Sequence, residues 1–101
     1  MTKQVTNPQT QQWQAMSRDH HLAPFSDYQQ LSDSGPRIIV KANGVYVWDS
    51  EGNQILDGMA GLWCAAIGYG RHELADAASK QMKELPFYNT FFMTAHPPVL
   101  E

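Results

Sequence analysis

A single cysteine, Cys64, stands in the whole chain, so no internal disulfide can brace it. That scarcity suits a reducing compartment, and a cytoplasmic protein is the expectation. Charge is scarce too: Asp, Glu, Lys and Arg make up 17% of the 101 residues, with a net charge of −3 at pH 7. Such a balance offers no basic stripe for nucleic acid and no footprint for an anionic membrane. No apolar run approaches the roughly 18–20 residues that a bilayer span requires. The opening MTKQVTNPQTQQWQ lacks the hydrophobic centre of a secretory signal. Metal ligands are equally thin. His20 and His21 are adjacent, but neighbours on a helix point about 100° apart, and no third ligand is near. They suit the C-terminal end of a helix, as cations facing its dipole. No metal is expected. The 43% of hydrophobic residues that remain are those of one small, modestly stable globular domain.

Glycine, by contrast, is concentrated in one place. Between Asp57 and Gly70 the chain reads DGMAGLWCAAIGYG, with Gly58, Gly61, Gly68 and Gly70 set among Met59, Leu62, Trp63, Ile67 and Tyr69. Glycine costs roughly 1 kcal/mol per helix position, so this spacing opposes an ordinary helix. It predicts a loop in which the backbone turns with positive φ or something comes close. The apolar residues predict that this loop is buried, either as a tight connection around a core tryptophan or as the wall of a pocket.

The rest of the chain is organised around that loop. Residues 1–10 read as a disordered lead-in, although Asn7-Pro8 also carries the cap-and-proline signature of a helix start. The segment QTQQWQAMSRDHHL follows, with Trp13 and Met16 as a narrow apolar stripe. Leu22-Ala23-Pro24-Phe25 breaks it and leaves Phe25 either as a staple onto the core or as a side chain delivered to a pocket. Strands are predicted at 37–41, 45–49 and 54–57, joined by an Asn43-Gly44 hairpin turn and a Ser50–Asn53 turn. They form a small antiparallel meander that needs a partner layer, with Trp48 in a packing role.

A helix is predicted from Arg71 to Leu85, with Leu74, Ala78, Met82 and Leu85 on one face and Pro86 as its stop. Phe87, Tyr88, Phe91 and Phe92 then crowd into six non-helical residues. Such a patch belongs in the core of a larger domain or at a subunit interface. A last helix starts near His96-Pro97 and has room for about one turn, too short for stability. The 101 residues therefore read as the front of something longer, with 1–10 as lead-in, 11–70 as arm, meander and loop, and 71–101 as helix and aromatic stretch.

The order WDSEGNQILDGMAGLWCAAIGYG, followed by ELPFYNTFF and TAHPP, resembles the N-terminal part of the class III (ω-) aminotransferases. WQAMSRDHHLAPFSDYQQL is similar to the N-termini of their putrescine/polyamine–pyruvate branch. The resemblance implies an α/β protein, the N-terminal segment of a fold type I pyridoxal-phosphate transferase, with arm, meander and loop in its small domain. It implies an enzyme that moves an amino group from a primary amine to pyruvate, giving alanine, with pyridoxal 5'-phosphate as cofactor. A homodimer or a tetramer of dimers goes with it. None of Lys3, Lys41, Lys80 and Lys83 matches the family's cofactor lysine, so no catalytic or cofactor-binding residue is expected within this segment.

What the resemblance does imply here is substrate-pocket wall. Trp63, with Leu62 before it, matches the position lining the substrate side of the cofactor. Phe25 matches an aromatic brought in by the N-terminal segment, and Phe91 a residue reaching the neighbouring subunit's site. Aromatic walls suit alkyl amines, whose methylenes they desolvate and whose ammonium they attract. Cys64 has no histidine partner in view and reads as a buried, inert thiol. Two other readings stand beside this one: a class III relative with another donor such as β-alanine, and a free-standing interaction module that docks through the aromatic stretch.

Overall fold

Residues 7–101 are described by a computed structural model, and residues 1–6 of the lead-in expected over 1–10 lie outside them. Helix α1 runs over Pro8–His20, so Pro8, Gln9 and Thr10, assigned above to the lead-in, are its first turn. Asn7 caps it by accepting a hydrogen bond from the Gln9 amide at 2.9 Å, with Pro8 where an amide donor is not needed. Thr10 is the most buried of the described residues at 2% exposure, and its hydroxyl donates to the Ser50 hydroxyl at 2.6 Å. The Asn7 side chain reaches the Ser50 carbonyl at 2.8 Å. Together these bonds tie the start of α1 to a turn of the sheet.

Helix α2, Tyr28–Ser34, is absent from the sequence-based reading. Its signals are present all the same. Asp27 accepts from the amides of Gln29 and Gln30, and Gly35 ends the helix with φ 70°. The sheet follows as an antiparallel meander: β1 Ile39–Asn43, β2 Tyr46–Asp49 and β3 Gln54–Leu56, in that order. The hairpin sits one residue later than Asn43-Gly44. Asn43 pairs with Tyr46, which leaves Gly44 and Val45 as the central residues. Only Gly44 has positive φ, 58°, the demand of a type II′ turn. Ala42, Val47 and Ile55 form one half-buried row across the sheet, and Trp48 is half-buried with Lys41 Nζ 4.9 Å from its ring centre.

The chain divides into two compact units, Met1–Gly70 and Arg71–Glu101. The second holds helix α4, His72–Glu84, and the single turn α5, Pro97–Leu100, with His96 at its N-cap position but no side-chain capping bond. Among the described residues no apolar side chain is fully buried; Thr10 and Asp49 are the buried ones. The predicted apolar face of α4 is therefore open, with Leu74 and Met82 exposed. Among the described residues no helix is long and apolar enough to cross a membrane.

Candidate functional site

The glycine loop leaves β3 at Asp57 and returns to the sheet at Tyr69. Tyr69 and Gly44 exchange two backbone hydrogen bonds, of 3.0 and 2.8 Å, and the Asp57 amide donates to the Val45 carbonyl at 2.9 Å. Both ends of the loop are thereby fixed to the β1–β2 hairpin. Gly68 makes this possible: its φ is 86°, and a Cβ there would stand 3.0 Å from the Gly44 carbonyl oxygen.

Between those ends lies the turn α3, Ala60–Trp63, in which φ is positive at all four residues: 50°, 58°, 64° and 70°. Gly61 and Leu62 sit in the left-handed helical region, and the Trp63 and Cys64 amides still donate to the Met59 and Ala60 carbonyls at 3.1 and 2.9 Å. Left-handed turns put Cβ against the following carbonyl, at roughly 1–2 kcal/mol per non-glycine residue. Ala60, Leu62 and Trp63 therefore store a few kcal/mol that other bonds must offset.

Asp57 supplies those bonds. Its Oδ1 accepts from the Met59 amide and its Oδ2 from the Gly61 amide, both at 2.9 Å. The Tyr69 hydroxyl donates to Oδ2 at 2.5 Å. That hydroxyl, with the Met59 and Gly61 amides, holds the Asp57 carboxyl below the ordinary carboxylate range, and the same bond holds the Tyr69 phenol above its ordinary value. Sequence reading passed over Asp57. The signal available was an aspartate two residues before an amide in a glycine-rich turn, the Asx-turn pattern.

The expectation of a buried loop is corrected. Trp63 is 89% exposed and Leu62 57%, and Met59 and Ile67 are exposed as well. Cys64 is exposed rather than buried, with its thiol on the Leu62 carbonyl at 3.3 Å. The physical reason is the left-handed turn, which spends its hydrogen bonds along its own inner side and leaves its side chains on the outside. Phe25, also at positive φ, 51°, is fully exposed, so the staple onto a core is not formed.

Leu62 and Trp63 thus stand together on one turn. Phe25 lines a different, open cavity of about 340 Å³ with Asp27, Gln30, Leu31 and Pro36. Phe91 belongs to the second unit, where it lines a cavity of about 430 Å³ with Phe87, Tyr88 and His96. Phe91 and Phe92 meet edge to face at 4.9 Å, and the Thr94 hydroxyl ties the stretch to the Phe91 carbonyl at 2.7 Å. His96 Nδ1 is buried there with no hydrogen-bond partner among the described residues, a feature sequence reading did not single out. Among the described residues no group of three or more His, Cys, Asp or Glu is placed to hold a metal.

The sequence profile of the family described as Aminotransferase class-III matches residues 28–100. The putrescine–pyruvate aminotransferase of Pseudomonas aeruginosa is 68% identical over 101 residues, which is all of this chain and 22% of that protein. Among solved structures, an (S)-enantioselective ω-transaminase from Thermomicrobium roseum superposes with a TM-score of 0.82 at 44% identity, over 97% of this chain and 22% of that one. An ω-transaminase from Pseudomonas jessenii, solved in complex with PMP, superposes with a TM-score of 0.77 at 35% identity, over 85% of this chain and 19% of that one. The chain thus spans about a fifth of the length of the proteins it matches.

Proposed function

This chain belongs to the class-III aminotransferases, and from that membership we propose that it is part of an enzyme moving an amino group from a primary amine to pyruvate. The observation that carries the reading is the 68% identity, over every residue of the chain, to a putrescine–pyruvate aminotransferase. An aliphatic amine such as putrescine is the proposed donor, and alanine the product. Leu62 and Trp63 supply apolar wall to the substrate pocket. Their outward stance on a fixed turn supports this, since an exposed indole held at positive φ serves no packing role within its own unit. Phe25, which lines a separate open cavity of this chain, is proposed as a further substrate-pocket residue, and Phe91 as one that completes the site of the neighbouring subunit in a homodimer. A cytoplasmic setting goes with the reading.

Class-III aminotransferases are pyridoxal-phosphate enzymes, and the cofactor is proposed for the whole protein. The described residues of this chain do not fit it. Lys41 Nζ is engaged over the Trp48 ring, Lys80 and Lys83 lie on the exposed surface of α4, and Asp57 spends its carboxylate on three donors of its own loop. No step of the transfer is therefore assigned to them.

The test is a graft. Residues 1–101 replace the corresponding segment of the Pseudomonas aeruginosa enzyme, and alanine formation from putrescine and pyruvate is measured. Activity comparable to the unmodified enzyme is expected, and Trp63→Ala in the graft is expected to shift relative kcat/KM among amines. A folded, cofactor-loaded graft that makes no alanine overturns the reading.

A further inference from the structure

The outward stance of Leu62 and Trp63 raises a question of cause, because a turn with positive φ at Leu62 and Trp63 relaxes unless something opposes it. Two residues oppose it from the inner side. Asp57 takes the Met59 amide on one oxygen and the Gly61 amide on the other. Tyr69 closes the arrangement across the loop by donating to the second oxygen at 2.5 Å, from a position 12 residues further along. The Tyr69 backbone is itself tied to the hairpin by its two hydrogen bonds with Gly44. The fit beneath the turn is close: a Cβ on Gly61 would stand 2.8 Å from the Tyr69 hydroxyl and would push it from its place on Asp57. Both clasp side chains are half-buried while Trp63 is 89% exposed, so the pair acts through the backbone it holds.

We propose that Asp57 and Tyr69 are positioning residues for amine selection: a clasp that holds Ala60–Trp63 left-handed and so sets where the Leu62 and Trp63 side chains stand in the pocket. The proposal rests on the reading of Leu62 and Trp63 as substrate wall. Opening the clasp lets the turn relax and moves the wall without removing any wall atom. The selectivity among amines then changes, while the chemistry common to all of them does not.

The experiment uses the grafted holoenzyme with putrescine and benzylamine as donors and pyruvate as acceptor. Tyr69→Phe deletes one hydroxyl and keeps the ring. It is expected to change the ratio of the two kcat/KM values about threefold to tenfold, the effect of one hydrogen bond read as a rate. In a Trp63→Ala background the same substitution is expected to change the ratio less than about twofold, because the larger of the two side chains it positions is gone. Asp57→Asn, which cannot accept from both amides, is the second variant and moves the ratio in the same direction if Tyr69→Phe does not fold. A ratio moved by Trp63→Ala but not by either clasp variant overturns the clasp and leaves the wall standing. A ratio moved by a clasp variant equally in both backgrounds overturns it too, since the effect then bypasses Trp63. A ratio unmoved by Trp63→Ala overturns the wall and the clasp together.

Discussion

Two aspartates in the first unit make the same local bonds to opposite ends. Asp49 accepts from the backbone amides two and four residues ahead, Glu51 at 3.1 Å and Asn53 at 2.8 Å. Asp57 does likewise, from Met59 and Gly61. Each then takes a side-chain hydrogen bond, from the Asn53 amide for Asp49 and from the Tyr69 hydroxyl for Asp57, and Asp49 adds an ion pair with Arg37 at 3.8 Å. Around Asp49 the intervening residues are Ser50, Glu51 and Gly52, and the product is a closed polar turn on which α1 is anchored, with the carboxylate only 6% exposed. Around Asp57 they are Gly58, Met59 and Ala60, followed by Leu62 and Trp63, and the product is a strained turn with its apolar side chains outward. An Asx-type bond thus fixes a backbone shape and leaves its use to the residues enclosed. One turn holds the fold together, and the other holds a wall in place.

The comparison is broken most severely by removing its buried member. Asp49→Ala in the grafted enzyme strands the Asn53 and Glu51 donors and loosens the seat of α1. A loss of about 2–3 kcal/mol is expected in denaturant unfolding, with amine selectivity unchanged. Gly61→Ala tests the strained turn: a methyl at φ 58° and 2.8 Å from the Tyr69 hydroxyl is expected to cost about 1–2 kcal/mol and to disturb selectivity as well. Gly58→Ala is its control. Gly58 has open space around its Cβ and is absent from the positive-φ glycines, so a change of about 0.5 kcal/mol or less is expected in the same measurement.

Acid and base separate the two turns further. Burial raises the Asp49 pKa, but the Asn53 and Glu51 hydrogen bonds and the Arg37 charge outweigh it, leaving Asp49, like Asp57, below the ordinary 3.8. A depressed carboxyl stabilises the fold above its unfolded pKa, and the benefit is lost as pH falls through the folded value, so both turns loosen below about pH 3.8. Tyr69 runs the other way. Its pKa is raised above the ordinary 10.0, so its contribution is complete below that pH and is lost as pH rises through the folded value. Unfolding midpoints followed across pH should therefore show an alkaline weakening that Tyr69→Phe abolishes and Asp49→Asn leaves untouched.

Helix α1 was legible because Asn7-Pro8 is a short-range instruction, satisfied within two residues. Helix α2 carried an equally local instruction in Asp27 and Gly35, overlooked beside the proline break at Pro24. The meander was legible from its β-branched runs, but the hairpin register was not. Gly44 is claimed by Tyr69 from the far end of the glycine loop, which moves the turn one residue on from Asn43-Gly44. Leu62 and Trp63 were legible as site candidates only through resemblance, since nothing in their side chains announces positive φ. Asp57 carried a local Asx-turn signal for its bonds to Met59 and Gly61, but its bond to Tyr69 was not legible because that partner is distant in sequence.

Residue order alone therefore established helices α1, α4 and α5, the three strands, the glycine-relieved loop and the family, because caps, periodicity and motif spacing act over a few neighbouring positions. Which way the loop faces was settled in three dimensions. Tyr69 had to meet both Gly44 and Asp57, and with those ends fixed the chain between them closes through a left-handed turn that turns Trp63 outward. Local propensity for L-residues opposes that conformation, so only bonds between distant residues hold it in place.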